Sequence, residues 1–205
     1  MNPLKFFFKN DKRLAAYMFA ALALFLISFS AMASYFSYDE IGPLTTRFKD
    51  ERGYSTEQVT LLYTVYSIPV IFLVVFGGIL ADKLGVRWSA LLFTFAFTAG
   101  TLMVTIPNYK IMVVGRLLFG IGAETFYVVM NKVIAKWFKD KKLAMAFGVN
   151  LFLCRFGTIA AFYTLPWIAH NFSLQKSLMI VSGITLLSLL SSIGYWFLDR
   201  YGEKN

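Results

Sequence analysis

The sequence predicts an all-α integral membrane protein with six transmembrane helices, and three observations carry that prediction. Of its 205 residues 58% are hydrophobic and only 15% charged, with a mean hydropathy of +0.63. Soluble domains run near half apolar and a quarter charged. Apolar runs recur at the roughly 20-residue length that a helical span needs. The loops between them are short, leaving no room for a soluble domain, a linker or a low-complexity region.

The first span is expected over 14–36, continuing as a more polar helix toward Phe48. The others are expected over 58–81, 88–106, 111–135, 143–168 and 175–198, all within a single domain covering 1–205. Basic residues alternate between the two ends of these spans. Lys5, Lys9, Lys12, Arg13, Lys83, Arg87, Lys136, Lys139, Lys141, Lys142, Arg200 and Lys204 share one side. Arg47, Lys49, Arg52, Lys110 and Lys176 fall on the other. Cytoplasmic loops carry the Lys/Arg excess, so both termini are expected to be cytoplasmic. The net charge of +9 therefore reports topology and contact with anionic lipid, and no nucleic acid is expected as a partner.

Tryptophans fit the same map. Trp88, Trp137 and Trp196 fall near inner boundaries and Trp167 near an outer one, as an interfacial belt places them. Cys154, alone in the chain, reads as a small packing residue of the fifth span. No cleavable signal peptide is expected, the first span serving as its own insertion signal.

Charges inside spans are costly, about 2.5–3.5 kcal/mol even on a lenient scale, and mark candidate functional groups. Glu124 lies twelve residues before Lys136, and Arg155 thirteen after Lys142. At about 1.5 Å per residue, both sit roughly 18–20 Å above the inner boundary. An acid and a base on consecutive helices thus reach one depth, either to pair with each other or to clasp a ligand carrying both signs. Asn131, seven residues from Glu124, shares its helical face. Asn150, five before Arg155, lies on a different one. Arg116, nearer the outer end of the fourth span, is expected to snorkel or cap neighbouring carbonyls, with a structural or gating role ahead of substrate contact. Lys132 is near enough to the inner edge to snorkel. Tyr35, Tyr38 and Asp39 close the first span, where the aromatics serve either as interfacial belt or as ligand contacts. His170 has no acidic or histidine neighbour at ligand spacing, so no metal and no cofactor is expected. Asn171-Phe172-Ser173 is a glycosylation sequon too close to the membrane to be used. No nucleophile–base pair suggests an enzyme.

The segment from Gly77 to Arg87, GGILADKLGVR, lies between the second and third spans. Gly78 allows close approach, Gly85 permits the tight turn, and Lys83 and Arg87 hold the loop inside. Asp82 offers a carboxylate to a helix N-terminus or to basic residues of an opposing bundle, forming a latch that breaks when bundles rock. This G-x-L-x-D-[RK]-x-G-x-[RK] spacing resembles the helix-two to helix-three loop of the major facilitator superfamily. Within that superfamily the chain is most similar to the lysosomal dipeptide carriers and their bacterial relatives. YFSYD, LLYTVYSIP, FGGILADKLGVRW, GRLLFGIGAE, WFKDKKL and FGVNLFLCRFGT carry that likeness over essentially the whole chain.

The resemblance implies a half-bundle of three plus three helices related by an inverted repeat. Small residues at Gly77, Gly78, Gly120, Gly122, Gly148 and Gly157 suit close helix packing in lipid. It also implies a zwitterionic dipeptide as the small-molecule substrate, with Glu124 facing its amine, Arg155 its carboxylate and Tyr38 in contact. Alternating access needs one bundle rocking against another, so a second six-helix bundle is an expected partner. Another copy, a separately encoded half or further sequence would each supply it. The N-terminal segment has no acidic dileucine signal, so a bacterial-type plasma membrane is preferred over a lysosomal one. Rival readings are another organic ion or metabolite as cargo, or a non-transporting membrane subunit.

Overall fold

The computed structural model describes residues 3–138 and 141–202, and Lys139 and Lys204 of the charge map lie outside the described residues. The chain forms α1 (Pro3–Tyr38), α2 (Thr45–Arg52), α3 (Thr56–Thr64), a 3-10 turn (Val65–Ser67) and α4 (Val70–Leu84). These are followed by α5 (Val86–Val104), α6 (Tyr109–Trp137), α7 (Lys141–Asn171) and α8 (Leu174–Gly202). Among the described residues, five segments are long and apolar enough to cross a membrane: Tyr17–Tyr38, Val86–Val104, Tyr109–Trp137, Lys142–Asn171 and Leu174–Gly202.

Two stretches differ from the sequence-based expectation. The polar continuation of the first span is a separate helix, because Gly42-Pro43 interrupts the ladder between α1 and α2. Proline has no N–H to give and disfavours helical backbone in the residue before it. Residues 58–81, expected as one crossing, are split into α3, the 3-10 turn and α4. Pro69 stands at the restart with φ −62°, an angle already suited to a helix entrance. Local signals set the remaining ends. Ser55 and Gln58 form a reciprocal capping box at α3, and the Asn108 side chain accepts from Lys110 and Ile111 N–H at α6. Gly85, at φ +77°, makes the one-residue turn between α4 and α5, an angle that residues with a Cβ rarely adopt.

Helix α6 is the centre of the bundle, with α5, α4 and α1 against it, while α1 also packs on α7 and α8. Glycines bring α5 and α6 into backbone contact. A Cβ on Gly122 would collide with the Phe97 amide and Phe93 carbonyl, and one on Gly100 with the Phe119 amide. Gly157 of α7 is held as closely against the Met32 carbonyl of α1. Gly148, by contrast, has nothing within 4 Å and is no packing glycine within this bundle. Gly122→Ala is therefore expected to lower thermal stability, by about 1–3 kcal/mol as overpacked interiors do. Gly148→Ala should leave the melting curve unchanged, and the pair measured together is the check.

A polar seam joins α1, α5 and α8. The Ser30 hydroxyl donates to the Ser188 carbonyl (3.0 Å), Thr94 meets Ser192 (2.8 Å), Thr98 donates to the Thr185 carbonyl (3.0 Å) and Ser37 meets Thr101 (2.8 Å). Between helices in lipid, the hydrophobic effect adds little, so close packing and such bonds hold the contacts. Cys154 is buried in the same core.

Candidate functional site

Five tyrosines from α1, α3, the 3-10 turn and α6 build a wall beside the candidate charges. On α6, Glu124, Tyr127 and Asn131 recur at helical spacing and share one face. The Tyr127 ring lies 5.1 Å from that of Tyr35 on α1. The Arg155 guanidinium of α7 lies 5.5 Å from the same Tyr35 ring. Tyr35 thus stands within electrostatic reach of both Glu124 and Arg155. Among the described residues, no ion pair joins Glu124 to Arg155. Tyr35 and Tyr127 pack beside these charges, of which Glu124 is half-buried and Arg155 exposed. Asn131 is exposed, whereas Asn150 is buried with its Oδ1 unpartnered.

Tyr38 closes α1. Its hydroxyl accepts from Tyr66 at 3.0 Å, and its ring lies 4.7 Å from Tyr66 and 5.9 Å from Tyr63. Arg116 keeps these rings in place from behind. It is fully buried and spends its donors on four acceptors. Nε donates to the Leu62 carbonyl (3.0 Å), Nη1 to the Ser37 carbonyl (3.1 Å) and Glu40 Oε1 (3.3 Å), and Nη2 to the Tyr38 carbonyl (3.2 Å). One planar fork therefore ties the end of α1 to the last turn of α3, just before the helix breaks. Glu40 is its buried counter-charge, 1% exposed, with the second carboxylate oxygen unpartnered. Arg116 positions the tyrosines without itself facing open space.

At the opposite end of the bundle, Lys132 of α6 donates to Asp82 Oδ1 (2.6 Å) and to the Gly78 carbonyl (2.9 Å). Asp82 thus has a partner inside its own bundle and is still 74% exposed. Gly78 and Gly85 provide backbone approach and turn, and Lys83 is exposed. Arg87 Nε lies 3.8 Å from Asp199 of α8. Asp199 is only 2% exposed and accepts from Lys136 Nζ at 2.9 and 3.0 Å and from Tyr195 at 3.1 Å. Exposed pairs contribute at most about 1 kcal/mol, whereas removing one member of a buried group costs several. Asp82→Asn should therefore barely move the melting temperature, while Asp199→Asn lowers it clearly.

Sequence reasoning missed Asp199, Glu40 and the partnership of Lys132 with the loop. Asp199 carries a local signal, Tyr195 one helical turn earlier. Glu40 has none, since only the fold sets it against a residue 76 positions later.

Fold and site together define a polytopic helical membrane protein with Glu124 and Arg155, neither in an ion pair among the described residues, beside a tyrosine wall. The model of the Major Facilitator Superfamily matches residues 13–205, and the chain belongs to that family. It is 33% identical over 199 residues to the lysosomal dipeptide transporter MFSD1 of Homo sapiens, covering 89% of this chain and 43% of that protein. Over 160 residues it is 29% identical to myo-inositol transporter 2 of Cryptococcus neoformans, covering 75% of this chain and 28% of the other. The chain therefore spans less than half the length of these relatives. Its fold is similar to a crystal structure of the POT family transporter PepTSo, with a TM-score of 0.72 at 18% identity. That likeness covers 87% of this chain and 37% of PepTSo.

Proposed function

We propose that this chain is one six-crossing half of an alternating-access carrier for small zwitterionic solutes, dipeptides first. In this reading α3, the 3-10 turn and α4 together make the second crossing. An even number of crossings returns both termini to one face, which the Lys/Arg asymmetry assigns to the cytoplasm of a bacterial-type plasma membrane. Family membership supports an inverted three-plus-three arrangement of these crossings.

The observation that carries the proposal is the placement of Arg155. It is exposed on α7, whose apolar window is 22% buried against 44–50% in the other four long helices. An arginine left in hydrocarbon is expensive, so this face calls for a water-filled path and a second bundle across it. Phe152, Phe156, Tyr163 and Trp167 offer the apolar contact area on the same helix. Within the path, Arg155 takes the ligand carboxylate through a bidentate fork, and Glu124 takes the amine. Tyr38 and Asn131 contact the ligand between and beyond them. Gly78, Asp82, Lys83, Gly85 and Arg87 form the inner latch. A second copy of the chain, or a separately encoded or contiguous half, completes the carrier. Nothing in this arrangement needs a cofactor.

The test is counterflow of a labelled dipeptide into liposomes holding the purified chain, with myo-inositol as the competing cargo. Saturable dipeptide exchange supports the reading. Exchange of myo-inositol alone overturns the cargo, and a folded dimeric sample inert to both overturns self-assembly into a carrier.

A further inference from the structure

Tyr66 sits in the 3-10 turn between α3 and α4, and that break in the helix fixes its position. The turn presses the Tyr66 carbonyl against Gly120 of α6, where any Cβ would collide with it. From there the side chain runs to the end of α1. Its hydroxyl donates to Tyr38 Oη at 3.0 Å, and its ring meets the Tyr38 ring edge-on at 4.7 Å. The fully buried Arg116 guanidinium lies 5.8 Å from the Tyr66 ring. Tyr38, Tyr63 and Tyr66 are all partly exposed, so part of each faces out of the packed bundle. A hydroxyl carries one proton and two acceptor sites. Tyr38 gives an acceptor site to Tyr66, and among the described residues it donates its own proton to no hydrogen bond.

We infer that Tyr66 is a positioning residue that makes Tyr38 a dedicated hydrogen-bond donor to the peptide carbonyl of the ligand. The inference rests on the dipeptide reading above and supplies the partner that reading leaves open. With the amine on Glu124 and the carboxylate on Arg155, a dipeptide keeps one C=O and one N–H between its charged ends. Accepting a bond from Tyr66 polarises the Tyr38 O–H and makes it a better donor. A donor held this way gains nothing from a zwitterion with only methylenes between its charges. The tyrosine cluster therefore selects peptides over simple amino acids of matching length.

The experiment compares glycylglycine with δ-aminovalerate, in which two methylenes replace the amide, by titration calorimetry on the purified chain in liposomes. Tyr66→Phe keeps the ring contacts and removes only the donated proton. It is expected to weaken glycylglycine roughly 3- to 10-fold, the scale of one neutral hydrogen bond, and to change δ-aminovalerate less than about two-fold. Tyr38→Phe should produce the same split, and adding Tyr66→Phe to it should cost nothing more. A structural defect would weaken both ligands alike. Equal losses for the two ligands, unchanged glycylglycine binding in Tyr66→Phe, or additive losses in the double variant each overturn the assignment. Wild type that binds neither ligand overturns the dipeptide reading itself, and the assignment with it.

Discussion

Arg116→Ala is expected to cost the bundle about 3–5 kcal/mol, the scale seen when one member of a buried ion pair is removed. The substitution strands the Glu40 carboxylate at 1% exposure and frees the carbonyls of Ser37, Tyr38 and Leu62 at once. Ser37, Leu62 and Glu40 are buried, so a lost donor there is not readily replaced. Arg116→Lys keeps the charge but lacks the planar fork, and should recover only part of the loss. The informative companion is the double change Arg116→Met with Glu40→Gln. Removing both charges should restore stability relative to Arg116→Met alone, a coupling that a plain packing defect does not show. Unfolding of wild type, these variants and Glu40→Gln alone in mixed micelles, followed by circular dichroism, gives the comparison. Wild-type stability in Arg116→Ala would sink the positioning role.

Arg155→Ala carries the second large effect, on ligand rather than on fold. Its guanidinium touches only the Tyr35 ring among the contacts described and is exposed. Removing it should leave the melting temperature near wild type. A charge-assisted hydrogen bond contributes about 1.5–3 kcal/mol, so dipeptide affinity should fall roughly 10- to 150-fold. Glu124→Gln should weaken dipeptide binding comparably. N-acetylation of the dipeptide should weaken binding to wild type but hardly change binding to Glu124→Gln, because the amine's partner is already gone. Titration calorimetry with free and blocked dipeptides separates the two ends of the ligand. If both variants bind like wild type, the clasp is wrong and a structural role for these charges takes its place.

Much of this architecture was legible before any coordinates. Period and length of the apolar runs announce the long helices, because a chain in lipid must satisfy its backbone internally. The loop from Gly77 to Arg87 is readable for the same reason that it is useful: its glycines and charges act locally. The break inside 58–81 was written as Pro69 but weighed less than the hydropathy around it. The glycine contacts were legible only as a tendency. Gly122 and Gly148 look alike in sequence, and packing alone makes one indispensable to a neighbour and leaves the other bare.

By itself, the sequence determined the class: an all-helical membrane protein of the major facilitator type, with an acid and a base inside long apolar helices. These follow from hydrophobicity, spacing and local backbone chemistry, which neighbours in the chain decide. Tertiary structure alone decided the partners. It set Arg116 on Glu40 and three carbonyls, Lys132 on Asp82, Lys136 on Asp199, and the Tyr35 ring against both Tyr127 and Arg155. The physical reason is distance along the chain. Each of these contacts joins residues tens of positions apart, and a charge's partner depends on which helices pack side by side. No local pattern encodes that choice.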